Sequence, residues 1–263
     1  MSSASTLAEP AANAHTLLSR RNRDGVLAAP QQWNEMLETI LNHRSVRAFL
    51  PRRLPEGTLE LLIAAAQSAS SSSNLQFWSV VAVQETERKS RLAELAGEQQ
   101  FIRDAPLLLV WLADLSRLDR IAAEHQAQVD GTHYLEEFIV GIVDAALAAQ
   151  SALIAAESLG LGGVYIGAMR NLPEQIAAEL GLPPHVFAVF GMSVGYPDPA
   201  RPTDIKPRLP QSLVLHREQY STAPCSEAID WTQQCFNRVK DAAALRGRDR
   251  MREALRNLGF ELR

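Results

Sequence analysis

The chain has 263 residues, of which 46% are hydrophobic and 21% charged, and its formal net charge is −4. This composition is typical of a globular protein whose core is large enough for one domain or for two smaller ones. The mild negative charge argues against a protein that holds nucleic acid by general electrostatics, because such proteins carry a clustered basic excess.

Residues 1–30 are rich in Ala, Ser and polar side chains. They lack the apolar region of a secretory signal, and no hydrophobic run follows Arg20-Arg21 as it would in a twin-arginine signal. We expect this segment to be a loose arm or a surface-wrapping extension. It precedes a body, residues 31–263, that no obvious linker divides.

The secondary-structure pattern alternates helices with a few strands. Apolar spacing predicts helices over 30–42, 58–69, 85–96, 134–159, 173–180, 226–244 and 248–258. Apolar runs predict strands over 77–83, 107–112, 163–167 and 186–194. Residues 114–134 are poorly patterned and are expected to be irregular or partly helical. The pattern therefore indicates an α/β or α+β protein.

The longest apolar stretch, Phe138 to Leu161, has the length of a membrane span but includes Asp144 and Glu157, which favours a buried helix. We expect Gly160, Gly162 and Gly163 to end it. Such a helix belongs at the centre of a large core or between two subunits.

The two cysteines, Cys225 and Cys235, have no spacing that suggests a zinc site. A disulfide between them and two free thiols in a reducing compartment both fit the sequence, and we favour free thiols in a cytoplasmic protein without membrane association.

Three polar groups carry candidate chemistry. The run His43-Arg44-Ser45-Val46-Arg47 offers cations and a hydroxyl that suit a phosphate monoester, although a basic helix end would look the same. The hydroxyls of residues 70–73 could bind a polyol or phosphate, or merely cap a loop. In the segment 206–210, prolines could fix Lys206 and Arg208 in direction, or the segment is a solvated basic loop.

Four segments together resemble the nitroreductase superfamily, and most closely its oxygen-insensitive NAD(P)H nitroreductases and NADPH-flavin oxidoreductases. They are HRSVRAF, ASSSSNLQ, AAESLGLGGVYIGAMRN and FGMSVGYP followed by DIKPRLP. The match runs in order from about Glu35 to Tyr220. The resemblance implies an α+β fold, with a central, mainly antiparallel sheet flanked by helices. It also implies an intertwined homodimer that binds FMN at the subunit interface.

The resemblance also implies roles by motif position. Five residues would surround the FMN phosphate and the nearby ribityl hydroxyls: His43, Arg44, Ser45, Lys206 and Arg208. Arg47 would approach the pyrimidine end of the ring. Ser71 and Ser73 fall in the family's serine-rich FMN loop, and Gln99 matches a glutamine that lies against the ring. The strand end beside the ring would be formed by Tyr165, Ile166, Gly167 and Ala168, with a backbone N–H near flavin N5.

A cation near the pyrimidine end would stabilise the charge that arrives with a hydride. Small residues at Gly167 and Ala168 would let the backbone approach the ring, although the family usually has a second glycine where this chain has Ala168.

The expected activity is FMN-dependent reduction of nitroaromatics, quinones or similar small electron acceptors, with NADPH or NADH as the donor, by ping-pong hydride transfer. A dedicated flavin reductase and a catalytically silent flavin-binding regulatory protein are the alternatives. The choice of donor stays open, because the basic segment that grips the NADPH 2′-phosphate in this branch has only residues 246–250, RGRDR, as a counterpart here.

Overall fold

The computed structural model describes residues 8–22, 32–222 and 245–263. The chain divides into two compact units. The first comprises Met1–Arg44 and Thr203–Ala244, and the second comprises Ser45–Pro202 and Leu245–Arg263. The predicted helix over 226–244 and both cysteines lie outside the described residues.

The second unit contains a four-stranded sheet. Its strands are β1 (Trp78–Val83), β2 (Leu107–Asp114), β3 (Gly162–Ile166) and β4 (Val186–Gly195). Their order is β1-β2-β4-β3, and each neighbouring pair is antiparallel. Every residue of β2 is buried, as its continuous apolar run predicts for a central strand.

The helices of the described residues agree closely with the pattern of apolar spacing. In chain order they are α1 (Ala8–Arg21), α2 (Glu35–Leu41), α3 (Thr58–Gln67), α4 (Thr86–Leu95), α5 (Gln100–Asp104), α6 (Ser116–Glu124), α7 (Leu135–Ser158), α8 (Pro173–Leu180), α9 (Gln211–Val214) and α10 (Met251–Asn257). The elements α1, α5 and α9 were not predicted from the sequence. The predicted α+β class, with an antiparallel sheet flanked by helices, is confirmed.

Alternate residues of β2 enter two different cores. Leu107, Leu109 and Trp111 pack with α7 and α3 on one face of the sheet. Leu108, Val110 and Leu112 pack with α4 and α8 on the other. This follows from the two-residue period of a strand, and it places α7 directly against the sheet.

The end of α7 differs from the prediction. Gly160 does follow the helix with a left-handed φ of 75°, but Gly162 and Gly163 belong to strand β3. Both positions are glycine because a side chain there would collide with neighbouring residues. A Cβ on Gly162 would lie 2.5 Å from Cγ2 of Val46, and one on Gly163 would lie 2.7 Å from Cδ1 of Leu153.

Among the described residues, α7 is the one helix that is long and apolar enough to cross a membrane, which by itself is weak support for a span. Its residue Asp144 is buried and bonded to a neighbouring loop, and its alanines pack in the core. These contacts are those of a helix inside a protein core, as the sequence predicted.

Candidate functional site

In the first unit, the end of α2 and the 204–208 segment are joined by Arg21, the last residue of α1. Its guanidinium is buried and donates to the carbonyl oxygens of Leu41 at 2.8 Å, His43 at 2.5 Å and Lys206 at 3.3 Å. The backbone N–H of Arg208 donates back to the Arg21 carbonyl at 2.8 Å. Two of the three predicted polar groups are therefore brought to one place by a single side chain.

Asp204 of this unit lies near two arginines, Arg20 and the predicted Arg44. Asp204 pairs with Arg20, and its pKa is lowered, first by the Ile205 N–H that it accepts and then by the charge of Arg20. Lys206 and Arg208 are exposed, and Arg208 donates to the Lys206 carbonyl at 3.1 Å. Both charges thus remain accessible to an anion.

In the second unit, Ser45 and Val46 lie beside the start of β3. Ser45 forms a parallel bridge with Gly163, and the N–H of Val46 donates to the Gly163 carbonyl at 3.0 Å. Gly162 permits this approach, because a Cβ there would collide with Val46. Arg47 is exposed, and within the described part of the chain its guanidinium has no hydrogen-bond or ion-pair partner.

The opposite end of β3 carries the residues predicted to pack beside the ring. Tyr165 is half-exposed, packs edge-on against Phe190, and donates through its hydroxyl to Oε1 of Gln150 at 3.3 Å. Burial, with a smaller contribution from Glu157, raises the pKa of Tyr165, so this phenol stays protonated at neutral pH. Ile166 is buried, whereas Gly167 and Ala168 are half-buried at the start of a 3₁₀ turn.

Gly167 and Gly163 are four residues apart, which corresponds to about 13 Å along a strand. Ser45 and Val46 therefore lie beside the start of β3, whereas Tyr165–Ala168 lie at its other end and just beyond it. This arrangement suits an elongated ligand with an anionic end and a planar end.

The serine-rich loop is anchored by a residue that sequence reasoning did not single out for this purpose. Asp144 on α7 is 1% exposed, and it accepts hydrogen bonds from Ser71 Oγ at 2.8 Å, from Ser72 N at 3.4 Å and from Phe77 N at 3.0 Å. Ser71 Oγ also accepts from the N–H of Gln76 at 2.8 Å. The Ser71 hydroxyl thus has its one proton committed to the protein.

Between these anchors the loop adopts an unusual backbone. Ser73, Asn74 and Gln76 have left-handed φ values of 47°, 57° and 54°. Non-glycine residues in this region are costly and concentrate at binding sites. Ser73 is exposed, and its hydroxyl has no partner in the part of the chain that the structure describes. Of the two predicted serines, Ser73 is the one whose side chain is available to a ligand.

Gln99 occupies a tight turn between α4 and α5. The turn uses left-handed φ values at Gly97 and Glu98, and the side-chain amide of Gln99 donates to the Gly97 carbonyl at 3.2 Å. The side chain is half-buried, so it is held in place while part of it remains accessible.

The poorly patterned region, residues 114–134, contains a well-anchored helix. Arg117 of α6 donates to the carbonyls of Gln76 and Trp78, each at 3.0 Å. Asp119 on the same helix bonds to Nδ1 of His185. The helix is therefore fastened to β1 and to the start of β4, a constraint that the local sequence pattern did not reveal.

The C-terminal basic cluster is partly neutralised. Arg250 pairs with Glu253 at 2.9 Å, and Arg248 donates to Oδ1 of Asn171 at 2.9 Å. Arg246 is exposed, and within the described residues its guanidinium has no partner. One arginine of the three is thus left open to an external anion.

The predicted site residues are shared between the two units. His43, Arg44, Lys206 and Arg208 belong to the first, and the other nine belong to the second. Arg21 and Asp144 are the residues that sequence reasoning missed. The only signal for Asp144 was an acid in an otherwise apolar helix, and Arg21 had no signal beyond its charge.

The architecture defines an α+β protein, and the segments along β3 of the second unit form a candidate site for an elongated ligand with an anionic end and a planar end. The chain belongs to the nitroreductase family, whose model matches residues 40–196. It is 39% identical to the NADPH-flavin oxidoreductase of Vibrio harveyi, over 77% of this chain and 82% of that protein. It is 41% identical to the oxygen-insensitive NADPH nitroreductase of Salmonella typhimurium, over 70% of this chain and 74% of that protein.

Among solved structures, NfrA2 of B. megaterium superposes with a TM-score of 0.82 at 35% identity. The superposition covers 88% of this chain and all of that one. The family and the fold that the sequence resembled are confirmed.

Proposed function

We propose that the chain is an FMN-dependent NAD(P)H oxidoreductase that reduces nitroaromatics, quinones or similar electron acceptors. The observation that carries this proposal is the pairing of Ser45–Val46 with the first residues of β3, the strand whose far end holds Tyr165–Ala168. Strand β3 therefore connects a segment suited to the FMN phosphate with a segment suited to the flavin ring.

The protein's groups fit FMN at both ends. In the first unit, the exposed cations of Lys206 and Arg208 offer charge for a phosphate, and in the second unit the Ser45 hydroxyl offers a neutral donor. Toward the ring, a cation from Arg47 and a backbone left accessible by Gly167 meet the requirements of a flavin that gains negative charge. When bound, FMN supplies the ring that accepts a hydride from a nicotinamide and passes it to the acceptor.

Each protein group would then orient the flavin or stabilise its charge, and none would act as a nucleophile. Arg47 would stabilise negative charge at the pyrimidine end, and the protonated Tyr165 would stay beside the ring through its contacts with Gln150 and Phe190.

The experiment that tests this proposal is anaerobic reduction of the purified protein. We expect a visible flavin band near 450 nm that bleaches on addition of NADPH or NADH and returns on addition of a nitroaromatic or a quinone. If the flavin does not bleach with either nicotinamide, the protein is a silent flavin-binding module. A colourless protein that cannot be loaded with FMN would refute the cofactor as well.

A second candidate activity is the release of free reduced flavin, since the Vibrio harveyi relative is named an NADPH-flavin oxidoreductase. Steady-state rates with excess FMN, compared with rates with a nitroaromatic or a quinone, separate the two. A strong preference for free FMN would replace the leading proposal with the flavin reductase.

We also propose a homodimer. Four large apolar side chains of α7, spaced by four residues, are 43–49% exposed: Leu135, Ile139, Val143 and Leu147. Such a stripe on a core helix is typical of a subunit interface.

The remaining parts of the proposal concern the donor and the location. Arg246, whose guanidinium has no partner within the described residues, is the candidate contact for the 2′-phosphate of NADPH. Because this is a single arginine, both NADPH and NADH are proposed as donors, and a comparison of their rates decides between them. A cytoplasmic location, and the absence of nucleic-acid and membrane partners, are proposed from the net charge of −4 and from the core contacts of α7.

A further inference from the structure

The second unit contains a cavity of about 590 Å³ that shares no residue with the predicted flavin-binding set. Its walls come from the loop that follows Phe49, from the beginning of α4 and from the end of α5. Its lining includes three cations, Arg52, Arg53 and Lys89, and two carboxylates, Glu56 and Asp104. The walls therefore carry an excess of positive charge in a protein whose net charge is negative.

The two arginines in the cavity lack the ion pairs that neighbouring arginines make. Within the described residues, neither Arg52 nor Arg53 has a hydrogen-bond or ion-pair partner for its guanidinium, although Glu56 lines the same cavity. By contrast, Arg91 forms a bidentate pair with Glu179. Both cavity guanidinia are thus free to receive an anion.

Arg52 is also held in direction. Its guanidinium carbon lies 4.1 Å from the ring centroid of Tyr196, a cation–π contact. The backbone of the same loop is fixed by the Leu50 N–H, which donates to the Tyr196 carbonyl at 2.9 Å. A guanidinium that is already oriented loses less entropy when it binds a ligand.

Lys89 places a third positive charge at the inner wall. The residue is 5% exposed, and its ammonium donates to the carbonyls of Ala105 at 2.5 Å and Arg103 at 3.2 Å. Burial lowers the pKa of Lys89, and the charge of Asp104 opposes this effect without cancelling it. A charged ammonium in this position has three N–H groups and two carbonyl partners, so an anion in the cavity would both bind it and stabilise its charge.

Neutral donors complete the wall. Thr86 and Gln84 line the cavity at the beginning of α4, where no side chain caps the helix. Of the two carboxylates, Asp104 already accepts a hydrogen bond from the Gln100 amide at 2.8 Å. Two guanidinia, a buried ammonium and neutral donors offer more N–H and O–H groups than the two oxygens of a carboxylate can accept, whereas a phosphate group has more acceptor oxygens.

We propose that this cavity binds the phosphate group of a small molecule at a site separate from the flavin. The cavity is much larger than a phosphate ion, so it has room for the rest of a phosphorylated ligand as well. Free phosphate presents the same chemistry, and the two sources are distinguished by comparing probes.

The test is calorimetric titration of the protein as purified, at constant ionic strength, with inorganic phosphate, with ADP and with succinate. Flavin absorbance is followed in parallel, so that displacement of FMN is detected. We expect saturable binding of phosphate, of ADP or of both, without loss of flavin, and much weaker binding of succinate. Tighter binding of ADP would identify a phosphorylated small molecule, and equal affinities would identify free phosphate.

Two matched double variants each remove two positive charges, one pair inside the cavity and the other pair outside it. The double variant Arg52→Gln/Arg53→Gln should weaken binding about tenfold or more, because two charge-assisted hydrogen bonds are lost. The control Arg88→Gln/Arg91→Gln alters two arginines that pair with Glu179 and do not line the cavity, and its affinity should equal that of the wild type. Arg53→Gln alone, which leaves the Tyr196 contact in place, should still weaken binding.

Three results would overturn the proposal. They are the absence of saturable binding by phosphate and ADP, an equal loss of affinity in the control, and binding that accompanies release of flavin. Succinate that binds as tightly as phosphate would reject the assignment to a phosphate group. None of these results bears on whether the flavin is reduced by a nicotinamide, so the oxidoreductase proposal stands or falls separately.

Discussion

Single substitutions in the serine-rich loop can distinguish the roles of two neighbouring hydroxyls, those of Ser71 and Ser73. Ser71→Ala removes an oxygen that donates to buried Asp144 at 2.8 Å and accepts from Gln76 N at 2.8 Å. Ser73→Ala removes an exposed hydroxyl that has no partner among the described residues. The two changes are chemically identical and lie two residues apart.

The structure gives the magnitudes. A hydrogen bond to a charged group contributes about 1.5 to 3 kcal/mol and a neutral one about 0.5 to 1.5 kcal/mol, so Ser71→Ala removes about 2 to 4.5 kcal/mol before solvent compensates. Because Ser71 is only half-buried, water will replace part of these bonds, and we expect a loss of about 2 kcal/mol in the free energy of unfolding. Ser73→Ala should change it by less than about 0.5 kcal/mol.

The assay is urea unfolding of the flavin-free protein, followed by measurement of FMN affinity for each variant. We expect Ser71→Ala to lower the unfolding midpoint, and Ser73→Ala to leave it unchanged while it weakens FMN binding. Equal stabilities for Ser71→Ala and the wild type would refute the anchoring role of Asp144. Wild-type FMN affinity in Ser73→Ala would remove Ser73 from the cofactor site.

Three further predictions concern the proposed flavin site and dimer. Arg208→Ala should weaken FMN binding by about 1.5 to 3 kcal/mol through loss of a charge-assisted contact, measured by flavin release, whereas Arg201→Ala, which removes an exposed charge, should not. Arg47→Ala should slow anaerobic flavin reduction more than it promotes FMN loss, and stopped-flow traces showing the reverse would mean that this side chain is wrongly placed. Val143→Glu should yield monomers in sedimentation analysis because it puts a charge on the apolar stripe of α7, while Leu61→Glu, at an exposed position of α3, should leave the wild-type mass; a dimer that survives Val143→Glu would exclude this face.

Most of the second unit could be predicted from local pattern. Strands and long helices were predicted within a few residues, because burial on one or both faces imposes a period that the residues display directly. The element α5 was missed because it is only five residues long, too short for a period to develop. Gly162 was misassigned because a glycine after a helix ordinarily ends it, and only the collision of a Cβ with Val46 shows why it is a glycine.

The candidate site was predicted less completely. The motif residues could be named in advance, but each had an alternative interpretation as a solvated loop or a helix end. Arg21 joins the backbone carbonyls of His43 and Lys206, which are more than 160 residues apart in the chain, and so brings two of these segments together. Such a long-range hydrogen bond leaves no trace in the local sequence.

The sequence by itself determined the family, the α+β class and the identity of the polar groups, because these depend on residue type and on short-range spacing. Only the tertiary structure decided which of these groups remain available. It commits Ser71 to Asp144, leaves Ser73 exposed, and places Ser45 against the strand that ends at Ile166. The physical reason is that hydrogen-bond partners and packing collisions are fixed by neighbours in space, and those neighbours are set by the folded chain rather than by position along it.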